Sequence, residues 1–263
     1  MFSRMTPMVK NILIINVVVL LLSNLISIDV VDVLGLRYIF ASSFKPYQLF
    51  TYMWMHGGIW HLIGNMFAVF IFGPMLEQIW GPKKFLAFYL ITGVGAGMLY
   101  ATVNYIEVSQ VQNASEVYIQ NPDPEAFNYF ITEHAPRFYN RLFDFINEYA
   151  EQPGNPQYIS ESKAIANQIY ESKANIPMVG ASGAVFGILM AFAMMFPNME
   201  LMLLFPPIPV KAKYLVMFYG AYELYSEINR SAGDNVAHFA HLSGMLIAFL
   251  ILKYWQKNSG SFY

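Results

Sequence analysis

One serine and two histidine-containing segments are the parts of this chain whose residue types and spacing suit acyl-transfer chemistry. Ser182 lies in an uncharged run from Val179 to Phe196, next to residues too small to shield its hydroxyl. Gly183 and Gly187 are four residues apart, so they share one helix face and allow a second helix to approach closely. A serine in such a helix is either a packing residue or a nucleophile. The second interpretation requires a base and an oxyanion site elsewhere in the chain.

The two histidine motifs are candidates for those groups. His61 and Asn65 are one helical turn apart, so an imidazole N–H and an amide NH₂ can point at one anionic oxygen. Alternatively, they hydrogen-bond neighbouring helices. His241 precedes Gly244 by three residues in an apolar segment, so its face can lie against the glycines beside Ser182. The serine and this histidine would then form the minimal nucleophile-and-base pair.

Composition indicates that these residues lie in a membrane protein. The chain has 263 residues, of which 56% are hydrophobic and only 12% charged, and its mean hydropathy is +0.40. Soluble domains carry about 25% charged residues. Cysteine is absent, which excludes disulfides and thiolate metal sites. We therefore expect a polytopic protein in a lipid bilayer, with no nucleic acid as a partner.

The apolar runs predict an all-α fold with six membrane-spanning helices. The first run follows basic residues, as in a signal peptide, but it lacks a small-x-small cleavage pattern and further spans follow it. An aromatic loop after the first helix is expected to lie at the membrane interface. A proline-rich turn before the fifth helix is also expected to lie there. The helices are expected at residues 11–28, 59–79, 85–104, 179–196, 214–227 and 237–255, the loop at 29–58 and the turn at 199–213.

Basic residues predict the orientation of this bundle. With both termini in the cytoplasm, every inner segment satisfies the positive-inside rule. The candidate serine, histidines and asparagine then open to the extracytoplasmic side. The basic residues concerned are Arg4, Lys10, Lys83, Lys84, Lys211, Lys213, Lys253 and Lys257.

Residues 105–176, called the insertion below, are predicted to form an extramembrane helical insertion between the third and fourth helices. They carry ten acidic and four basic residues and no apolar run long enough to span a bilayer. Apolar residues recur at helical spacing after Pro136 and after Pro156. The insertion is either a solvated decoration or a cover over the active-site mouth that screens substrates. The predicted domains are 1–104, 105–176, 177–255 and a short cytoplasmic tail, 256–263.

The motifs in combination resemble the rhomboid family of intramembrane serine proteases. The resemblance covers roughly residues 10–104 and 177–255. Many members have Trp-Arg in the first loop where this chain has Tyr47-Gln48, which predicts looser anchoring of that loop, and the insertion lies outside the common core. The matching motifs are His61-x-x-x-Asn65, Gly180-x-Ser182-Gly183, Ala237-His238-x-x-His241-x-x-Gly244 and Gly73-x-x-x-Glu77-x-x-x-Gly81.

The resemblance implies a role for each matching residue. Ser182 would be the nucleophile and His241 the general base, a dyad without an acid. His61, Asn65 and the backbone N–H of Ser182 would stabilise the oxyanion. No cofactor or metal is implied. The supporting residues would be Gly180 and Ala181 beside the oxyanion site, Gly244 at the contact of the fourth and sixth helices, and His56 and His238 in the loop and water network.

The implied function is an intramembrane serine endopeptidase that cuts transmembrane protein substrates in or near their helices. The short fifth helix and the loop 228–235 would act as gate and lid, and the implied location is a bacterial inner membrane. Docking of a further partner on the insertion is left open.

Two alternatives to this function remain. One is a catalytically silent relative that binds membrane helices as a chaperone or quality-control factor. The other is a metal site built from His56, His61, His238 and His241. The metal site is disfavoured because no intramembrane carboxylate is expected beside those histidines. A transporter is disfavoured because no charged pathway crosses the six helices.

Overall fold

The computed structural model describes residues 5–26, 29–203, 206–229 and 236–259, and most of them are α-helical. A two-stranded antiparallel hairpin, β1 (Glu200–Met202) and β2 (Pro209–Lys211), precedes the tenth helix. Two short 3₁₀ segments cover Tyr52–Trp54 and Pro136–Phe138. The helices are α1 (Pro7–Leu25), α2 (Val30–Leu34), α3 (Gln48–Thr51), α4 (Ile59–Trp80), α5 (Pro82–Gln120), α6 (Pro124–His134), α7 (Tyr139–Glu151), α8 (Pro156–Ala174), α9 (Ser182–Met195), α10 (Ala212–Ile228) and α11 (His238–Ser259).

The membrane bundle consists of α1, α4, the first part of α5, α9 and α11, and α10 packs against α9 and α11. Four of these, α1, α4, α5 and α11, are long and apolar enough to cross a bilayer, and α9 is a shorter apolar helix. The buried core of the bundle joins side chains from α1, α4, α5, α9 and α11. The predicted all-α polytopic membrane fold, with a helical insertion between the third and fourth spans, is confirmed.

Helix α5 is much longer than the predicted third span. It continues past residue 104 to Gln120 without a break, so its 39 residues extend about 58 Å. The reason lies in the sequence, because residues 98–120 contain neither glycine nor proline to end the helix. The first part of the insertion is therefore a direct continuation of a membrane helix.

The insertion has a hydrophobic core of its own. Helices α6, α7 and α8 bury aromatic and aliphatic side chains, among them Phe127, Tyr149 and Ala166, against Val111 and Tyr118 of α5. The predicted helices after Pro136 and Pro156 are confirmed as α7 and α8. The insertion is thus a packed helical unit seated on the extended end of α5.

Glu77 explains where α1 begins. Its carboxylate accepts hydrogen bonds from the backbone N–H groups of Met8 (2.9 Å) and Val9 (2.8 Å) and from the Thr6 hydroxyl (2.5 Å). The first N–H groups of a helix have no partner within the helix, and an anion there is favourable. Helix α1 therefore starts at Pro7, four residues before the predicted start.

Three further sequence predictions differ from the structure or fall outside it. The fourth spanning helix begins at Ser182 and not at residue 179, and the predicted interfacial turn at 199–213 contains the β1–β2 hairpin.

Gln48 is buried, and its amide donates to the carbonyls of Val33 (3.1 Å) and Ser43 (3.2 Å). The expected loosening of this loop is therefore not seen. Residues 27–28 of the predicted first helix and residues 230–235 of the predicted lid loop lie outside the described residues.

Candidate active site

The segment before Ser182 is held extended by the first loop. Leu36 and Met178 exchange two backbone hydrogen bonds of 2.9 and 2.8 Å, and the N–H of Gly180 donates to the carbonyl of Tyr52 at 3.0 Å. Gly180 has a φ of +129°, which side-chain-bearing residues rarely adopt. These constraints delay the start of α9 until Ser182.

Ser182 is the first residue of α9, so its hydroxyl stands at a helix N-terminus. Helix α9 has 14 residues and is about 21 Å long, shorter than the roughly 30 Å hydrocarbon layer. A helix of this length cannot cross that layer by itself. The backbone N–H of Ser182 is one of the first N–H groups of the helix, which lack intrahelical acceptors and favour negative charge nearby.

His61 lies directly over Gly180. A β-carbon at Gly180 would stand 2.8 Å from His61 Nε2 and 3.6 Å from Ser182 Oγ, so the imidazole and the hydroxyl flank the same small space. The N–H of Gly57 donates to His61 Nδ1 at 3.4 Å. A neutral imidazole that accepts at Nδ1 carries its proton on Nε2. The His61 nitrogen beside Gly180 is thus a hydrogen-bond donor.

Asn65 adds a second side-chain donor to this space. Its side chain is 7% exposed, lies one helical turn from His61 and lines the same cavity as Ser182. Within the described ranges, no protein atom accepts a hydrogen bond from Asn65 Nδ2. A buried amide normally has a partner. This donor is therefore suited to an anionic oxygen that arrives with a substrate.

His241 reaches the site because α9 and α11 touch at glycine. A β-carbon at Gly244 would stand only 1.9 Å from the carbonyl oxygen of Gly183, and one at Gly183 would stand 3.5 Å from the carbonyl oxygen of Ala240. The residues next to Ser182 and next to His241 are thus in contact. The His241 ring stacks on Phe186 of α9, with a centroid distance of 4.3 Å and an interplanar angle of 6°.

Glu223 of α10 is a site residue that sequence reasoning missed. Its Oε2 lies 2.9 Å from Nδ1 of His241 and 2.5 Å from Nδ1 of His238, and its side chain is 7% exposed. The resemblance implies a dyad without an acid, whereas the structure places a carboxylate within hydrogen-bond distance of His241, the candidate base. A signal was present, because an ionisable residue inside an apolar span indicates a functional site with a nearby partner.

The structure also changes the argument against a metal site. The expectation that no carboxylate accompanies the histidines is wrong, since Glu223, His238 and His241 form a buried cluster. Their separations of 2.5 and 2.9 Å are hydrogen-bond lengths, whereas two ligands of one tetrahedral zinc ion stand roughly 3.3 Å apart. The cluster therefore fits N–H···O hydrogen bonds better than metal ligation.

His56 and His61 form a separate pair. Their rings meet edge to face with centroids 5.1 Å apart. Burial, together with the neighbouring His61, lowers the pKa of His56 to about 4. The His56 ring is therefore neutral at pH 7 and buttresses His61 without adding charge.

One cavity of about 1030 Å³ joins these groups to the insertion. Its lining includes Ser182, His241, His61 and Asn65. Part of its wall comes from the insertion, so the insertion borders the candidate site. The insertion residues that line it include Glu107, His134, Arg137, Phe138, Ile169 and Lys173.

Comparison with known proteins identifies the family. The rhomboid domain model matches residues 43–108 and 160–257. The mitochondrial RHOMBOID-like protein 6 of Arabidopsis thaliana is 49% identical over 57 residues, 22% of this chain and 19% of that protein. Rhomboid protease AarA of Providencia stuartii is 38% identical over 69 residues, 26% of this chain and 25% of that protease.

A longer alignment joins this chain to an uncharacterised mitochondrial rhomboid protein of Schizosaccharomyces pombe. The two are 26% identical over 238 residues, 83% of this chain and 55% of that protein. In all three relatives the match spans less than two thirds of the relative's own length. The domain match covers more than half of this chain and both halves of the membrane bundle. The chain therefore belongs to the rhomboid family.

Proposed function

We propose that this protein is an intramembrane serine endopeptidase, with Ser182 as nucleophile and His241 as general base. The observation that carries the proposal is the convergence of Ser182, His241, His61 and Asn65 on one cavity, which is lined by the membrane bundle and the insertion. A peptide bond in a substrate helix is protected, because its backbone is hydrogen-bonded and water is excluded. A polar cavity beside an unwound part of that helix removes both obstacles.

In the acylation step, the proton of Ser182 Oγ passes to Nε2 of His241 while Oγ bonds to the substrate carbonyl carbon. The carbonyl π electrons move to the oxygen, which accepts hydrogen bonds from His61 Nε2–H, Asn65 Nδ2–H and the backbone N–H of Ser182. The intermediate then collapses and the C–N bond breaks. Nε2 of His241 gives its proton to the departing amine.

Deacylation repeats this sequence with water. The water oxygen adds to the acyl carbon, and its proton passes to Nε2 of His241. Collapse of the second intermediate breaks the bond to Ser182 Oγ and releases the acid. The oxygen of Ser182 recovers the proton from His241, so the enzyme returns to its starting state.

The basic residues at the opposite end of the bundle support an orientation with the cavity open to the non-cytoplasmic side. The relatives include mitochondrial proteins and a bacterial protein, so they favour no single membrane. We therefore propose only that the cavity opens on the side of the membrane opposite the basic residues. Substrates are single-span proteins cut near the membrane boundary at the insertion side.

Cut-site mapping tests the proposal. The purified protein is reconstituted in lipid vesicles with single-span substrates, and the new termini are determined by mass spectrometry. We expect cleavage within or just beyond the hydrophobic segment on the insertion side, insensitive to chelators. A protein that binds these substrates and yields no new termini would instead be a helix-binding relative.

Asn65→Ala tests the proposed oxyanion donors. Loss of one such donor costs about 10²–10³-fold in kcat in other serine hydrolases, and we expect a loss of that size with KM little changed. Asn104→Ala is the matched control, because Asn104 is an asparagine of α5 that lines the same cavity. Equal kcat values for the two variants, measured on a vesicle-embedded substrate, would contradict the assignment.

We further propose that the insertion selects substrates by charge. Only one of its ten acidic residues, Glu107, lines the cavity, whereas two of its four basic residues, Arg137 and Lys173, do so. Burial and the nearby Lys173 lower the pKa of His134, so at neutral pH this wall draws its positive charge from the arginine and the lysine. A substrate with carboxylates just outside its membrane segment fits this wall.

Arg137→Glu tests this selection. Charge reversal at an exposed side chain changes binding modestly, so we expect KM to rise about 3- to 10-fold for acidic substrates and little for neutral ones. Arg141→Glu is the matched control, because Arg141 is an exposed arginine of the same insertion that does not line the cavity. A rise of the same size in both variants would contradict selection by the cavity wall.

A further inference from the structure

The carboxylate of Glu223 is an unusual group to find buried among apolar helices. It lies in α10, facing α11, and it is buried. A carboxylate away from water requires hydrogen-bond donors, and lipid provides none. Here its donors are two imidazole rings of α11, His238 and His241, three residues apart and therefore on one helix face.

The geometry determines which nitrogen of His241 faces the substrate. Because Nδ1 lies 2.9 Å from Glu223 Oε2, the ionised carboxylate accepts a hydrogen bond from Nδ1–H. A neutral ring with its proton on Nδ1 has its lone pair on Nε2. That nitrogen can then take the proton of Ser182 Oγ, which lines the same cavity as His241.

We propose that Glu223 is a positioning residue for His241 and completes a Ser182–His241–Glu223 arrangement in place of a simple dyad. The inference rests on the proposed protease function. Glu223 keeps the imidazole in the productive tautomer and stabilises the imidazolium that forms when Nε2 accepts the serine proton. The carboxylate itself takes up no proton, as in serine proteases with an aspartate behind the histidine.

His238 has a different role in this arrangement. Its Nδ1 donates to the same carboxylate oxygen at 2.5 Å, so it satisfies the buried charge and fixes the carboxylate beside His241. Phe186 of α9 stacks on one face of the His241 ring and restrains its orientation. The base is thus held by contacts from α9, α10 and its own helix.

Glu223→Gln tests the proposal with little change of shape. We expect kcat to fall about 10²-fold or more with KM nearly unchanged, because removal of the charge permits the wrong tautomer while the substrate cavity is intact. Glu227→Gln, the same change one turn further along α10, is the matched control and should retain activity. Kinetics within about threefold of wild type for a folded E223Q would overturn the proposal.

The histidine tautomer gives a readout that a merely structural role would not move. In protein labelled with ¹⁵N at its five histidines, we expect the His241 signals of the Nδ1–H form in the wild type and a shift toward the Nε2–H form in E223Q. An unchanged His241 tautomer would overturn the proposal.

Should E223Q fail to fold, Glu223→Asp is the second variant, because it retracts the carboxylate by one methylene. This variant should lower kcat without raising KM. Wild-type kcat in that variant would overturn it.

These readouts separate the proposal from the protease function on which it rests. If the wild type shows no turnover that depends on Ser182, the protease function fails. The tautomer measurement then still tests whether Glu223 fixes the proton on Nδ1 of His241. If the wild type is active and E223Q matches it, the protease function stands and the role of Glu223 fails.

Discussion

Replacement of Ser182 by alanine is expected to reduce substrate cleavage by roughly 10⁴- to 10⁶-fold, the range found when the nucleophile of a serine protease is removed. The variant loses only the oxygen that attacks the carbonyl carbon. The backbone N–H of residue 182, His61 and Asn65 remain, so substrate binding should persist. The measurement is the initial rate of cleavage of a single-span substrate in vesicles, together with binding of that substrate to the variant.

A small effect of Ser182→Ala on cleavage would argue against Ser182 as the nucleophile. Cleavage by Ser182→Ala within tenfold of the wild type would show that another nucleophile or a contaminating protease is responsible. Ser243→Ala is a suitable control, because Ser243 is a buried serine of α11 that does not line the cavity. That variant should cleave at a rate near that of the wild type.

Replacement of Gly244 by alanine is expected to destabilise the bundle more than other glycine changes in spanning helices. The new β-carbon would stand 1.9 Å from the carbonyl oxygen and 2.8 Å from the carbonyl carbon of Gly183. Overpacking a well-packed core lowers the free energy of unfolding by about 1–3 kcal/mol. A clash with backbone atoms should cost at least the upper value of this range, because no change of side-chain rotamer can relieve it. Separation of α9 from α11 would also draw His241 away from Ser182.

Gly64→Ala is the matched control for this prediction. Gly64 lies within α4, and a β-carbon there would meet no atom within 4 Å among the described residues. Thermal unfolding of both variants in the same detergent gives the comparison. A Gly244→Ala protein as stable as Gly64→Ala would contradict the close contact of α9 and α11.

The spans, the insertion and the candidate groups could be predicted because each has a local signature. Apolar runs of the right length mark membrane helices, and spacings of three and four residues place His61 with Asn65 and His241 with Gly244 on shared faces. The start of α9 could not be predicted in this way. It depends on hydrogen bonds from Met178 and Gly180 to a loop more than a hundred residues away in sequence.

The same physical reason applies to Glu223. In the sequence it is one of two acids in the fifth span, 15 residues from His238 and 18 from His241, and no periodic pattern joins α10 to α11. Only the tertiary packing brings the carboxylate to the two imidazoles. Likewise, the acidic composition of the insertion does not reveal that its cavity wall carries two of its four bases.

Reaction with a fluorophosphonate probe tests the central claim most directly, because the probe modifies a serine only when a base and an oxyanion site activate it. The purified protein is labelled in detergent beside Ser182→Ala and His241→Ala, with folding verified by thermal unfolding. We predict label on the wild type, located at Ser182 by mass spectrometry, and none on either variant. Label on folded Ser182→Ala, or no label on folded wild type that admits the probe to its cavity, would contradict an activated serine at this site.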